Sequence, residues 1–395
     1  MRRRHFLSAM AATLPALGCA GRLFAAPASA PRFLLVFLRG GYDCANVLVP
    51  YASDFYFESR PNIAIARPAG KTDDALVLDT NWALAPALRE SIGALYAKKQ
   101  AAFVPFAGTD DLSRSHFETQ DSIERGLPLN RHDFHDGFMA RLATVLGARA
   151  APIAFTDALP LTFDGGGDIP NVSLRNVGKA PFDERQSAML SGMYREHHLH
   201  AAVADGLQLR QHVAEEFAAD TQAANRGAIN ARGFALQAER VARLMREQYR
   251  LGFIDVGGWD THVNQGGAQG QLAANLDGLG RGLAAYAAAL GSEWNDTVVA
   301  VISEFGRTFR ENGNRGTDHG HGTAYWLLGG GIAGGRIAGE QVKVQSSTLL
   351  QNRDFPVLND YRALLGGLFM RLWGLDRAQL ERVFPQSTPH DLRLV

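Results

Sequence analysis

Cysteine is almost missing from this chain: Cys19 and Cys44 are the only two in 395 residues. Cys19 lies in the leader discussed below, so one cysteine is left in the remainder and an intramolecular disulfide is excluded there, even in an oxidising compartment. Long apolar runs are missing too. The mildly apolar, alanine-rich stretch 8–17 is well short of what spans a bilayer. No charge of one sign dominates, with 40 Lys and Arg against 40 Asp and Glu spread along the chain, which argues against a nucleic-acid or polybasic membrane surface. Internal repeats and low-complexity segments are not seen. A chain with 46% apolar residues and no staples must rest on its core, and the length suits one large α/β domain or two smaller ones.

The first thirty residues read as a targeting segment. Arg3-Arg4-His5-Phe6-Leu7 fits the twin-arginine export pattern, and Ala26-Pro27-Ala28 offers a small-residue cleavage site. An ordinary secretion signal is the alternative. Leu17-Gly18-Cys19-Ala20 only weakly suggests a lipoprotein box, because Ala16 stands where a large aliphatic is wanted. The expectation is a periplasmic or secreted protein, with the twin-arginine translocase as partner during export and no transmembrane anchor after cleavage. That route carries folded proteins, often with a cofactor already loaded.

Residues 31–395 are expected to form a single domain in which strands alternate with helices. Apolar runs at 33–38, 101–106, 251–256, 297–302 and 324–328 read as buried strands. Helical spacing appears at 115–125, 195–220, 234–249 and 271–290. Such alternation predicts a mainly parallel sheet with helices on both faces. The Gly- and Pro-rich stretch 151–186 is expected to hold the least regular structure and reads as a possible cap or insertion.

Polar residues gather after these strands, where open α/β sheets build their sites. Asp43 follows the first strand and Gly40-Gly41. Asp260-Thr261-His262 follows the strand at 251–256, and Glu304 follows the one at 297–302. Asp318-His319-Gly320-His321-Gly322 comes next. Seven carboxylates and imidazoles on one sheet edge exceed what a Ser-His-Asp arrangement needs and suit two metal ions. Each has a plainer reading: Asp43 as a cap or Asx-turn, Glu304 with Arg307 as a loop-ordering ion pair. Arg307 is otherwise a candidate to hold a phosphate or sulfate oxygen. Ser115 is either a nucleophile at a helix start or an N-cap with Glu118 at capping-box spacing, and His116 stands at the same anion-attracting helix start. Cys44 reads as packing, and His197, His198 and His200 as a solvated helix face.

Gly40-Gly41-Tyr42-Asp43-Cys44-Ala45-Asn46, Ser115-His116-Phe117, Asp260-Thr261-His262, Ser303-Glu304-Phe305-Gly306-Arg307-Thr308 and Gly316-Thr317-Asp318-His319-Gly320 together resemble the bacterial domain-of-unknown-function family 1501. That family is grouped with the alkaline phosphatase and sulfatase superfamily. The resemblance implies a three-layer αβα sandwich, alkaline-phosphatase-like, with a two-metal site and an unestablished substrate. Asp43 resembles the superfamily's first metal-binding aspartate and Ser115 its nucleophile, whereas Phe305 stands where a metal-binding histidine would be expected. The leading expectation is an exported hydrolase of a small anionic phosphate or sulfate ester. It would use one or two divalent ions of Zn, Mn or Fe type held by Asp43, Asp260, His262, Glu304, Asp318, His319 and His321. Ser115 and Arg307 would be catalytic, and Asn46 and His116 would contact substrate. The alternative is a non-catalytic exported binding or assembly protein on the same scaffold. A carboxylate-based glycosidase is disfavoured by the histidines beside the carboxylates.

Overall fold

The computed structural model describes residues 31–129, 135–174, Met193 and 234–395. Residues 31–395 form one compact unit. The leader and the helical spacing at 195–220 lie outside the described residues.

Strand β1 (Arg32–Leu38) is buried along its whole length because it lies in the middle of the main sheet. It pairs in parallel with β7 (Leu251–Val256) on one side and β8 (Thr297–Ser303) on the other. Outside β7 lies β6 (Pro152–Phe155), also parallel. Outside β8 come β9 (Thr323–Leu328), antiparallel to both its neighbours, and then β5 (Ala101–Gly108). The short strands β10 (Arg336–Ile337) and β11 (Asn359–Asp360) pair in parallel with β5. Among the described strands of this sheet only β9 runs against the rest, as the alternating pattern predicts for a mainly parallel sheet. Since β9 is reversed, it starts at the edge where β8 ends, and the loop between them stays on that edge.

The side chains of β1 alternate between two cores. Leu34, Val36 and Leu38 join the one covered by the helices Phe234–Glu247 and Gln271–Leu290. Phe33, Leu35 and Phe37 join the one covered by Phe138–Leu146, Tyr361–Trp373 and Arg377–Val383. The result is a three-layer αβα sandwich. In the helix Gln271–Leu290, buried Leu272, Leu276, Leu279, Leu283, Tyr286 and Leu290 make the 3.6-period stripe that packs on the sheet.

The stretch 151–186 opens with edge strand β6 in register with β7, where Pro152 is tolerated as the first residue of an edge strand; residues 175–186 lie outside the described residues. A small antiparallel sheet of β2 (Leu48–Val49), β4 (Ala83–Leu84) and β3 (Leu76–Val77) is also present, and strands of two residues leave no periodic signal. Among the described residues no helix is long and apolar enough to cross a membrane.

Candidate metal centre

Five segments meet beyond the carboxyl ends of β1, β5, β7 and β8. Behind β1, Gly40 and Gly41 have φ of 123° and 63°. A Cβ on Gly41 would lie 2.4 Å from the Phe305 ring, and one on Gly40 would lie 2.8 Å from the Asp260 nitrogen, so only glycine permits this approach. The loop leaving β8 folds on itself through Gly306 N–H to the His321 carbonyl (2.9 Å), Gly320 N–H to the Gly306 carbonyl (2.9 Å) and Thr308 N–H to the Asp318 carbonyl (2.9 Å). These bonds set Arg307 beside His319. The 261–265 segment is pinned to the same loop by Asn264 N–H to the Asn314 carbonyl and Gln265 N–H to the Arg315 carbonyl, both 2.9 Å. Residues more than fifty positions apart are thereby brought within contact.

The Asp260 carboxylate lies at the centre. Its Oδ1 is 2.6 Å from Arg307 Nη1, 2.9 Å from His262 Nε2 and 3.3 Å from His319 Nε2, and its Oδ2 is 3.6 Å from His116 Nε2. His262 Nε2 and His319 Nε2 are 3.2 Å apart. The other nitrogen of each imidazole is held from outside. His116 Nδ1 donates to Glu304 Oε1 at 2.8 Å, His262 Nδ1 to Asp318 Oδ1 at 3.1 Å, and His319 Nδ1 to the Arg114 carbonyl at 3.0 Å. A proton fixed on each Nδ1 leaves three Nε2 lone pairs facing one carboxylate.

A divalent cation fits this donor set. A tetrahedral ion with ligand bonds of about 2.0–2.1 Å has edges of about 3.3–3.4 Å between donor atoms, close to the 2.9 Å, 3.3 Å and 3.2 Å among Asp260 Oδ1, His262 Nε2 and His319 Nε2. The ligand atoms of His116, Asp260 and His319 all lie within 4.8 Å of one another. His116 Nε2 is buried and makes no hydrogen bond, although buried polar atoms are ordinarily satisfied. An ion among His116, Asp260 and His319 would satisfy it, with His262 Nε2 2.9 Å from Asp260 Oδ1 as a further donor beside them.

Glu304 supports this group instead of joining it. Its side chain is fully buried, with Oε1 accepting from Gly40 N–H, Gln120 Nε2 and His116 Nδ1, each at 2.8 Å, and Oε2 accepting from Ser303 Oγ at 2.8 Å. Burial pushes its pKa up, but the donors from His116, Gln120 and the backbone outweigh burial and hold it below the usual glutamate value. The same bond raises the His116 pKa. For Asp260 and Asp318 burial again pushes up, while Arg307 for the first, and Asn312 and His262 for the second, bring the net shift down. Burial is the main cause lowering the His319 pKa, favouring the neutral ligand form.

The other sequence candidates are not among these donors. Asp43 is bound bidentately by Arg60, at 2.5 and 3.0 Å, and accepts from Gln265 Nε2 at 2.6 Å, with Asp43 and Arg60 both excluded from solvent. Asn46 is used up on the Ile63 carbonyl, Tyr56 and Arg60. Arg307, with a fully buried side chain, donates to Asp260 and to the Thr317 carbonyl (2.6 Å). His321 is buried in the surroundings of Asp354, Arg114 and Asp111. Ser115 caps the helix His116–Arg125, accepting from Glu118 N–H at 3.5 Å, and the Cys44 thiol is buried, its pKa pushed up to about 12. Phe305 is a wall, its ring centroid 4.9 Å from that of His116 and 5.1 Å from that of His319. Sequence reasoning assigned His116 to substrate; its partner Glu304 lies 188 positions away, so no local spacing points to its place among the ligands.

The sequence pattern of the family described as "Protein of unknown function (DUF1501)" matches residues 85–384. The chain belongs to this family. No curated protein matches it. Among solved structures, similar ones include Ps i-CgsB in complex with k-i-k-neocarrahexaose (TM-score 0.39, 10% identity, covering 92% of this chain and 76% of that one). Others are the lipoteichoic acid synthase LtaP from Listeria monocytogenes (0.38, 8%, 93% and 76%) and a protein in the alkaline phosphatase superfamily from Vibrio parahaemolyticus (0.34, 12%, 76% and 60%). With TM-scores below 0.5, these likenesses carry no inference about the chemistry of this DUF1501 member. Arg39, Thr156, Leu161, Asp255 and Gly257 help to line a cavity of about 650 Å³ at the ends of β6 and β7, linked to the candidate metal centre through Gln120, which accepts from Arg39 and donates to Glu304.

Proposed function

We propose that this protein is an exported, metal-dependent hydrolase of a phosphate or sulfate ester, working with one divalent cation held by His116, Asp260, His262 and His319. The observation that carries the reading is the convergence of three imidazole Nε2 atoms on one carboxylate, each ring fixed at Nδ1 by an acceptor. A cation there supplies Lewis acidity toward an ester oxygen and lowers the pKa of a water. The chain's own residues hold the donors in place: Glu304, Asp318 and the Arg114 carbonyl set the three imidazole tautomers, and Arg307 sets Asp260. Because Arg307 is committed to Asp260, and Arg39 to Glu124 and Asp255, the anionic group of the substrate would rely on the cation. The cavity at the ends of β6 and β7, connected to Glu304 through Arg39 and Gln120, would take the organic part.

Elemental analysis of protein purified from its exporting host tests this, followed by phosphate and sulfate esters on the same sample. We expect about one ion per chain and turnover that a chelator abolishes. A second reading, a binding or assembly protein holding one ion, is favoured by the use of Ser115 as a cap and Asp43 as a partner of Arg60. One ion per chain with no turnover of any ester selects it, and absence of any ion sinks both.

Cation affinity is expected to fall in acid. The His116 pKa is raised, so below that pKa Nε2 carries a proton that must leave before the cation binds. Each unit of pH below it should cost about tenfold in affinity. For the chelated protein the signs differ by partner. The His116 contribution to stability is fully present below the ordinary histidine value and is lost as pH rises through its raised pKa. That of Glu304 is present above the ordinary glutamate value and is lost as pH falls through its lowered one. Calorimetric titration with Zn²⁺ between mildly acid and neutral pH measures the dependence, and a flat profile would remove His116 from the ligands.

A further inference from the structure

We infer that Asp354 is a positioning residue for the metal centre, setting which nitrogen of His319 faces the cation; this rests on the one-ion reading above. Asp354 touches none of the four proposed ligands. Its side chain is fully buried and receives two arginines: Arg114, through Nε at 3.0 Å and Nη2 at 2.8 Å, and Arg353, through Nη1 at 3.1 and 2.9 Å to the two carboxylate oxygens. Both arginines end on His319. The Arg114 carbonyl accepts from His319 Nδ1 at 3.0 Å, and Arg353 Nη2 donates to the His319 carbonyl at 2.9 Å. One buried carboxylate therefore grips His319 by its ring and by its backbone.

The grip on the ring needs a backbone that a non-glycine residue seldom adopts. Arg114 has φ of 54°, in the left-handed region that disfavours side chains with a Cβ and persists where the surroundings hold it. The restraint is the arginine's own side chain, tied to Asp354 and, through Nη2 at 2.9 Å, to Gln351 Oε1. Asp354 is held in turn by paired backbone bonds with Leu350, N–H to carbonyl at 3.1 Å and the reverse at 2.8 Å. If Arg114 relaxes to the ordinary right-handed region, its carbonyl turns away from Nδ1. His319 then loses the acceptor that keeps its proton on Nδ1, and its Nε2 is no longer reserved as a lone pair for the cation.

The experiment compares wild type, Asp354→Asn and Arg353→Lys in two readouts. The first is Zn²⁺ affinity by competition with a chelating dye; the second is the ¹⁵N spectrum of the His319 ring in metal-free protein. Asp354→Asn should weaken Zn²⁺ binding by up to about 10-fold, the low end of what losing a direct partner of a ligand costs, because it acts through Arg114 and Arg353, and should move the His319 ring from Nδ1–H toward a tautomer mixture. Arg353→Lys keeps the charge while losing the fork, so it should give a smaller shift in the same direction and serves if Asp354→Asn does not fold. The inference is overturned if folded Asp354→Asn, or Arg353→Lys where that variant alone folds, keeps both wild-type Zn²⁺ affinity and the Nδ1–H tautomer. Failure of the one-ion reading would look different: wild type would bind no Zn²⁺, while the ¹⁵N spectra would still report whether Asp354 sets the ring.

Discussion

Asp43→Ala is expected to lower the stability of this protein by about 3–5 kcal/mol while leaving cation binding per folded molecule unchanged. The substitution leaves Arg60, whose side chain is fully buried, with only neutral acceptors: Asn46 Oδ1 and the carbonyls of Thr308 and Phe309. A buried cation stripped of its carboxylate costs far more than the pair contributes when intact. The measurement is urea unfolding of chelated protein, with the slope compared as well as the midpoint, since an altered slope would signal a change in compactness. Replacing both partners with apolar residues of similar volume should recover part of the loss. An Asp43→Ala protein as stable as wild type but emptied of metal would return Asp43 to the ligands and undo the one-ion site.

His319→Ala should abolish stoichiometric metal binding in a protein that still folds. His319 is only partly buried and brings no charge of its own to the core, so its removal creates a modest space between Phe305 and His262 and leaves no buried ion unpaired. The affinity loss should exceed the about 10–100-fold that follows from removing a residue which merely supports a ligand. Asp260→Ala should empty the site too, but it is the less clean test because it frees the buried Arg307 guanidinium. Circular dichroism of dialysed protein establishes the fold and elemental analysis the metal. A folded His319→Ala protein with full metal content rules out the assignment.

The main strands were legible because burial on both faces makes them largely apolar runs, and β7 and the helix Gln271–Leu290 lie at the bounds their sequences suggest. The reach of Asp260-Thr261-His262 and of His319 was legible for a related reason: imidazoles and carboxylates set among glycines after a buried strand sit at the sheet edge and have nothing apolar to pack on. The roles of Asp43, Glu304 and Arg307 were not. A carboxylate at a strand end takes the nearest donors, and Arg60 for Asp43 or His116 and Gln120 for Glu304 come from segments that nothing in the local pattern brings near. His321, two residues after His319, meets another set of charges because the loop bends back between them.

Sequence alone determined the layered α/β architecture, the edge on which the polar residues collect, and the chemistry available there, because periodic burial and residue type are local properties. Tertiary structure decided which of those residues face a common point. Three imidazoles and one carboxylate converge only after β9 reverses direction and two loops are stitched together by backbone hydrogen bonds, and Asp43 is withdrawn because a guanidinium reaches it in the interior. Partner choice among charged groups depends on distances of a few ångströms across hundreds of residues, and only the folded chain sets those.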